Sequence, residues 1–365
     1  MLRKTLRYMD WSDYMLYKNL IVQNDLKEML EDKNISWEKL KDSSVLITGG
    51  TGMLAKYITY LLIYMNEKMN YNITICVLVR NLEKAVQDFG EYIALDYLRI
   101  INQDICNKIE IDYKVDYIIH AAGSCSAYCI KKDPIGIIDA NTIGVKNILE
   151  YAKDKNVKNI LYVSTREIYG KMSDDIEMIK ESDMGILDPQ DSRSCYPESK
   201  RMGEQMFKAY SDVYGINYNV VRMAHAYGPG MNLKNDGRVM ADFMNNAVDG
   251  TDIVMKSTGN VQRAFCYITD AVRAMMIVLL NGDKCDSYNI ANEDEPLKIR
   301  KVAKILADIS KDSIKVIYRQ DNDTSAYCKY KRVGLDTTKI RKLGWKPNIQ
   351  LLDGLKRTYN SFIME

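Results

Sequence analysis

The sequence has little net charge and no long apolar run, and both scarcities exclude classes of partner. Its 51 Lys and Arg residues nearly balance its 49 Asp and Glu residues, which argues against nucleic acid or an anionic membrane as the main partner. The longest apolar run, at residues 57–65, is too short to cross a bilayer. Residues 1–20 show no apolar core followed by a cleavage site. We therefore expect a soluble cytoplasmic protein that acts on neither nucleic acid nor membrane.

Histidine is also scarce, and the cysteines do not form the pairs that a structural metal site requires. The chain has 8 Cys and 2 His residues, and no Cys-x-x-Cys spacing is present. Cys125 and Cys129 are four positions apart, but no second cluster of ligands accompanies them. We expect no metal site, and we interpret the cysteines as reduced thiols.

The most informative segment is a glycine-rich run at residues 48–55, Thr-Gly-Gly-Thr-Gly-Met-Leu-Ala. It follows an apolar strand candidate at 45–47 and precedes the apolar, helical stretch at 57–65. Glycine at such a turn lets backbone N–H groups approach a pyrophosphate, whose charge the helix N-terminus favours. The spacing fits either Gly49 or Gly50 as the first glycine, with Gly52 next. A surface turn also needs glycine, but the position between strand and helix favours dinucleotide binding.

Short apolar strands alternate with helical segments after this turn. The strand candidates are at 45–47, 73–79, 115–119 and 160–163, with a helix over 141–153 among the segments between them. Such alternation predicts a doubly wound parallel α/β sheet of the Rossmann type, which binds ligands at the carboxyl ends of its strands. We predict three parts: a helical extension at 1–43, a dinucleotide-binding domain at 44–221, and a smaller, mainly substrate-binding α+β domain at 222–365, partly interleaved with it.

A tyrosine and a lysine follow at the spacing that a proton-transfer site needs. Tyr196 and Lys200 share one helix face. The ammonium group is expected to lower the phenol's pKa from its reference value of about 10, so that the phenolate can take a proton from a hydroxyl group. Thr165, with Ser164 as second choice, follows a strand and could hydrogen-bond the same oxygen. A Tyr-x-x-x-Lys pair often arises by chance, but its order after the glycine turn favours catalysis.

These motifs resemble those of the extended short-chain dehydrogenase/reductase family, specifically its nucleotide-sugar epimerases, dehydratases and decarboxylases. The resemblance covers about residues 45–350 and includes three further stretches, at 222–229, 263–270 and 343–347. It implies a retained NAD that oxidises a nucleotide sugar at C4 and is usually re-reduced within the catalytic cycle. It also implies a homodimer.

The resemblance assigns roles to individual residues. Tyr196 would be the base, Lys200 would lower its pKa and hold the nicotinamide ribose, and Thr165 would orient the sugar's 4-hydroxyl. The implied cofactor residues are Gly49, Gly52, Met53, Leu54, Asp104, Ile105, Ala121, Ala122 and Lys200. The implied substrate residues are Ser126, Arg166, His225, Arg238 and Arg263, of which Arg263 would bind the diphosphate.

The residues around Glu167 bear on which reaction follows oxidation. Glu167 resembles the glutamate of the dehydratases and decarboxylases, and 4-epimerases typically lack it. The dehydratases place an acidic proton donor just before this glutamate, whereas this chain has Arg166, which cannot give up a proton. Arg166 could neutralise a substrate carboxylate, or strand alternation could turn it away. Decarboxylation or dehydration therefore ranks ahead of 4-epimerisation, and a non-catalytic dinucleotide-binding protein is the remaining alternative.

Two positions depart from the usual pattern. His225 stands where the family commonly has an asparagine, and it could bind a sugar or phosphate oxygen or be structural. Arg80 ends the second strand, where NAD enzymes usually present an acidic residue to the ribose. An arginine there could clamp the 2′-phosphate of NADP, but the resemblance favours NAD.

Overall fold

The computed structural model describes residues 15–234, 236–311, 313–319 and 333–363. A seven-stranded parallel sheet forms its centre. In chain order its strands are β1 Ser44–Thr48, β2 Thr74–Val79, β3 Leu98–Asn102, β4 Tyr117–His120, β5 Asn159–Thr165, β6 Tyr218–Met223 and β7 Asp286–Ile290. Their order across the sheet is β7-β6-β5-β4-β1-β2-β3. The chain reverses its direction of winding between β1 and β4, which places a ligand crevice at their carboxyl ends.

Helices cover both faces of the sheet and build the remainder of the molecule. In chain order they are α1 Leu20–Leu30, α2 Met53–Met69, α3 Leu82–Phe89, α4 Ala127–Lys132, α5 Pro134–Lys153, α6 Cys195–Tyr214, α7 Val239–Val248, α8 Ile268–Asn281, α9 Ile299–Ile309, α10 Thr338–Arg341 and α11 Leu351–Ile363. Residues of α2 and α8 share one buried apolar cluster, and residues of α5 and α6 share a second. The predicted doubly wound fold is confirmed.

The burial of each strand and the polar residues within it explain whether it forms an apolar run that the sequence analysis could recognise. Every residue of β1 is buried, and β2 is buried except at its first position, so both strands appear in the sequence as continuous apolar runs. The predicted strands omitted β3, β6 and β7. Strand β6 is fully buried, but the polar residues Asn219 and Arg222 interrupt its apolar pattern. The edge strand β3 exposes Arg99 and Asn102, and β7 begins with Asp286 and Ser287, so neither forms a continuous apolar run.

The C-terminal half of the chain contributes short strand pairs in addition to helices. The pairs are Ile253–Met255 with Val316–Tyr318, Gln262–Arg263 with Leu297–Lys298, and Ala226–Tyr227 with Cys266–Tyr267. Because β7 lies beyond residue 222 yet belongs to the main sheet, the two halves interleave. The predicted boundary at 222 itself stays a prediction.

The predicted N-terminal extension lies partly outside the described residues, which begin at 15. From there α1 packs onto the main body, where the buried Asp25 carboxylate accepts hydrogen bonds from the hydroxyls of Tyr57 and Tyr267 at 2.6 and 2.7 Å. Arg357 of α11 donates to the same carboxylate at 2.8 Å. These contacts tie α1 to three other parts of the chain.

No helix among the described residues has the length and apolar content needed to cross a membrane. The same residues contain no group of three or more His, Cys, Asp or Glu side chains arranged to hold a metal ion.

Candidate active site

The glycine turn joins β1 to α2 in a space that admits no side chain. Gly49 has φ = 68°, in the left-handed region, and a Cβ there would lie 2.8 Å from the Ala121 carbonyl oxygen. A Cβ on Gly50 would lie 2.0 Å from Val77 Cγ1. Gly52 precedes α2 without a side-chain cap, which leaves the first N–H groups of the helix to an external acceptor. This turn is the kind of cradle that a dinucleotide pyrophosphate fills.

The end of β4 is fixed beside this turn by a buried polar contact. Thr48 Oγ1 accepts the Ala122 N–H at 3.2 Å and lies 2.8 Å from His120 Nδ1. Burial lowers the pKa of His120 to about 3, with the nearby charge of Lys200 acting in the same direction. His120 therefore stays neutral at physiological pH, and its ring stacks on Tyr162 at 5.6 Å. We interpret it as structural support for the crevice.

Two candidate cofactor residues meet where β2 and β3 end. The Arg80 guanidinium lies 3.9 Å from the Asp104 carboxylate, and the Arg80 side chain is 80% exposed. Asp104 also accepts the Cys106 N–H at 2.9 Å, which fixes the turn after β3. Ile105 is buried against α5, where a Cβ on Gly144 would lie 2.9 Å from it. Met53 and Leu54, in the first turn of α2, are half-buried.

The predicted catalytic pair lies on α6, with both side chains buried. The Tyr196 hydroxyl lies beside the Thr165 side chain at the end of β5, which acts to lower the pKa of the phenol. Lys200 Nζ donates to the Val163 carbonyl at 2.8 Å and lies 4.7 Å from the centre of the Tyr162 ring. The structure therefore brings the predicted phenol, ammonium and hydroxyl groups together.

Burial dominates the electrostatics of this pair. It raises the pKa of Tyr196 above 10, with the charges of Cys125 and Glu167 adding to the effect and the Thr165 hydrogen bond opposing it. Burial also lowers the pKa of Lys200 to about 8. The expected lowering of the tyrosine's pKa is therefore wrong for the protein alone. The physical reason is that burial removes the phenol from water. The Lys200 ammonium does not offset this effect, because it binds the Val163 carbonyl oxygen.

An asparagine of α5 completes the polar surroundings of the lysine. Asn141 Nδ2 donates to Ser199 Oγ at 3.0 Å, whereas its Oδ1 is buried and has no hydrogen-bond partner among the described residues. A Cβ on Gly123 would lie 2.7 Å from this oxygen and 3.6 Å from Lys200 Nζ. A buried acceptor, an ammonium group and a bare backbone thus converge, which fits a hydroxyl-bearing ligand such as the ribose of a dinucleotide. Asn141 was not among the site residues predicted from the sequence.

Glu167 is held in an ion pair within the site. Its Oε2 lies 2.6 Å from Arg193 Nη1, with 11% and 20% of the two side chains exposed, and its N–H donates to Thr165 Oγ1 at 3.2 Å. Its charge acts on Tyr196. Arg193 was not among the site residues predicted from the sequence. The signal that could have revealed it is a cation three residues before the candidate catalytic tyrosine.

Arg238 also acts electrostatically on the catalytic tyrosine, whose pKa it lowers. The guanidinium binds the buried Asp236 carboxylate through two contacts, at 2.5 and 2.8 Å. A Cβ on Gly237, between them, would lie 3.3 Å from Ala127 Cβ, so this loop packs on the start of α4. These contacts hold the guanidinium near Tyr196, and its predicted role toward a substrate stays a prediction.

Ser126 caps α4, since its Oγ accepts the Cys129 N–H at 3.1 Å. This bond uses one acceptor position of the hydroxyl, which can still donate to a ligand.

The other three predicted substrate residues make contacts that do not involve Tyr196. Arg166 donates to the Val333 carbonyl. His225 has φ = 45° and its ring lies 5.7 Å from that of Phe265. Arg263 donates to the carbonyl of its neighbour Gln262 at 2.7 Å. Their predicted roles toward a substrate stay predictions.

The fold and the site together define a dinucleotide-binding α/β protein with the Tyr–Lys–Thr set of short-chain dehydrogenases and reductases. The family model for the NAD dependent epimerase/dehydratase family matches residues 45–291, and the chain belongs to this family. NAD is therefore the cofactor class of the fold, and the glycine turn and the Lys200 surroundings fit it.

Individual relatives carry out different reactions. The chain is 30% identical over 313 residues to UDP-glucuronic acid decarboxylase 6 of Arabidopsis thaliana, covering 85% of this chain and 86% of the relative. Its fold is similar to that of UDP-glucose 4-epimerase from Thermotoga maritima, solved with UDP-glucose (TM-score 0.72, 21% identity, 88% of this chain and 98% of that one). It is equally similar to dTDP-glucose 4,6-dehydratase from Streptomyces venezuelae, solved with NAD and TYD bound (TM-score 0.72, 24% identity, 88% and 97%).

Proposed function

We propose that this protein oxidises a nucleotide sugar at C4 with bound NAD and then decarboxylates or dehydrates the keto sugar. The observation that carries the proposal is the buried Tyr196 phenol beside Thr165, next to Lys200 and the glycine turn. When bound, NAD supplies the hydride acceptor. Tyr196 takes the proton of the 4-hydroxyl as base, and Thr165 orients that hydroxyl. Lys200 holds the ribose and favours the phenolate through its charge.

The cations around the site favour a substrate that carries a carboxylate. Arg193 and Arg238 both act near Tyr196, each bound to one carboxylate of the protein. A guanidinium has five N–H donors, so each can bind a second carboxylate as well. A ketone at C4 makes a C6 carboxylate a β-keto acid, which loses CO₂ readily. Dehydration lacks the acidic donor at position 166, since Arg166 donates to a backbone carbonyl. Decarboxylation is therefore the preferred follow-on reaction.

4-Epimerisation is the second candidate, because it needs only oxidation and return of the hydride to the other face. The Tyr196, Lys200 and Thr165 set suffices for that chemistry. A non-catalytic dinucleotide-binding protein is disfavoured, since such a protein has no need for this buried set.

Product analysis separates these reactions. We expect the purified protein to release CO₂ from UDP-glucuronate, whereas a 4-keto-6-deoxy product from dTDP-glucose or an epimer from UDP-glucose would identify the alternatives. Tyr196→Phe should abolish turnover and retain bound NAD. Tyr214→Phe, on the exposed end of the same helix, should keep wild-type activity. No conversion of any nucleotide sugar, or full activity in Tyr196→Phe, would contradict the proposal.

We further propose that the cofactor is NAD rather than NADP. The exposed Arg80 is accompanied by the Asp104 carboxylate, whose charge disfavours a 2′-phosphate. Arg80→Ala should weaken NADP binding about tenfold, equivalent to about 1.4 kcal/mol, and leave NAD affinity unchanged. Arg99→Ala, which removes a cation stacked on Tyr113, is the control. Titration calorimetry showing tighter binding of NADP than NAD to the wild type would overturn this proposal.

We also propose that α5 and α6 form a homodimer interface. These neighbouring helices expose Ile135, Ile138 and Met202, and a second copy of the same face would cover them. Ile138→Glu should shift the protein to monomer in sedimentation velocity, whereas Ile186→Glu, at an exposed isoleucine elsewhere, should not. A wild-type monomer at micromolar concentration would refute the interface.

A further inference from the structure

A second cavity lies in the C-terminal half of the chain, beside α9 and the short strand pairs. Its volume is about 540 Å³, within the range of small-molecule sites. Among the residues that the structure describes, the lining contains no acidic side chain and four cationic ones: Lys298, Arg300, Lys301 and Lys304. The ring of Tyr318 and the amide of Gln262 also line it.

The four cations of this cavity are not neutralised by the protein described. None of them forms an ion pair within residues 15–234, 236–311, 313–319 and 333–363. Lys301 and Lys304 are three positions apart on α9 and so share one helix face. Like charges held together on a concave surface repel one another, and an anion would relieve that repulsion.

The cavity is separate from the proposed diphosphate site. Gln262 lines the cavity, and Arg263 follows it in the same extended strand. Arg263 itself is not among the described residues that line the cavity. In the other strand pair, Val316 and Tyr318 line the cavity while Ile317 between them does not. The basic cavity therefore does not include the residue predicted to bind the substrate diphosphate.

We propose that this cavity binds a nucleoside polyphosphate as a ligand distinct from the substrate and from NAD. Lysine ammonium groups bind phosphate oxygens as point charges, and Arg300 can bind them bidentately. The Tyr318 ring is 61% exposed, so one face is available to stack on a planar base. Three lysines and an arginine match the charge of two or three phosphates.

Calorimetry on the full chain tests this site. The parent protein is Arg263→Ala saturated with NAD, so that neither the substrate site nor the cofactor site takes up the probe. The probes are ATP and inorganic tripolyphosphate. Lys301→Ala/Lys304→Ala should weaken binding of both probes at least tenfold, and Tyr318→Ala should weaken ATP about fivefold while leaving tripolyphosphate unchanged.

The matched control is Lys68→Ala/Lys356→Ala, which removes the same charge from two exposed helix positions elsewhere and should change affinity less than twofold. The proposal is refuted if the parent binds neither probe, or if both double variants lose affinity equally. Binding of tripolyphosphate without any advantage for ATP would refute the nucleoside part. If Arg263→Ala does not fold, NAD-saturated wild type should show one probe site more than Lys301→Ala/Lys304→Ala.

Discussion

Arg193 donates to Glu167 across 2.6 Å, which places a compensated negative charge beside the candidate base Tyr196. Both partners are mostly buried, so neither charge is strongly screened by solvent. The pair joins the segment after β5 to the segment before α6, the two segments that carry the catalytic groups. The ion pair therefore affects both the relative position of these two segments and the pKa of Tyr196.

Replacing Glu167 by Gln should change the pH dependence of turnover. The negative charge of Glu167 contributes to raising the pKa of Tyr196, so its removal lowers that pKa. A base must be deprotonated to act, and the acidic limb of kcat against pH should therefore move to lower pH. Plateau kcat should also fall if Glu167 acts after oxidation. Glu177→Gln, at an exposed position, is the control, and a limb that stays in place or moves to higher pH would contradict this account.

Two glycines with nearly the same φ angle allow the cost of backbone strain to be distinguished from the cost of steric crowding by an added side chain. Gly49 and Gly215 have φ = 68° and 69°. A Cβ at Gly49 would meet backbone atoms at 2.8 Å, whereas none of the described atoms lies within 4 Å of one at Gly215. Gly215→Ala should lower the free energy of unfolding by about 1 kcal/mol. Gly49→Ala should lower it by more and abolish NAD binding, as urea unfolding and calorimetry would show. Equal losses would mean that the turn can relax around a methyl group.

The Asp25 carboxylate should be important for the stability of the fold, although Asp25 is not one of the candidate active-site residues. It is fully buried and accepts bonds from Tyr57, Tyr267 and Arg357. Asp25→Asn removes the one fully buried carboxylate among the three that bind the guanidinium and should lower the free energy of unfolding by about 3 kcal/mol. Glu28 binds the same guanidinium from a position 47% exposed, and Glu28→Gln should cost less than about 1 kcal/mol. Similar losses for the two variants in urea titrations would contradict the importance of burial.

Local patterns predicted those parts of the molecule that depend on neighbouring residues. Apolar runs predicted β1 and β2 because these strands are buried on both faces, and the glycine turn was recognised because its conformation admits few other residues. The spacing of Tyr196 and Lys200 predicted a shared helix face. All three depend on sequence separations of a few residues.

Contacts between distant segments were not predictable in the same way. Glu167 and Arg193 are 26 positions apart, and Asn141 and Ser199 are 58 apart; only the folded sheet brings them together. The pKa of Tyr196 was predicted in the wrong direction for the same reason. Helix spacing revealed the neighbouring ammonium, whereas the dominant desolvation comes from the whole surrounding fold.

The buried lysine should make stability depend on pH in a defined window. Burial lowers the pKa of Lys200 from 10.5 to about 8 in the folded protein. Between these values the Lys200 side chain binds more protons in the unfolded chain than in the folded one, so the contribution of this one group to the free energy of unfolding should rise with pH from 8 to 10.5. Below pH 8 the ammonium is charged in both states, and its burial penalty is fully present.

Lys200→Met removes this titration. It also leaves the Val163 carbonyl without its donor, an offset that does not change with pH. Relative to Lys200→Met, the wild type should therefore gain up to about 3 kcal/mol of unfolding free energy between pH 7 and pH 10.5, measured by urea titration without cofactor. Lys208→Met, at an exposed lysine of the same helix, should show no such trend. A constant difference between wild type and Lys200→Met would mean that the ammonium is solvated in the folded protein, and the site would then be too open to exclude water from the catalytic pair.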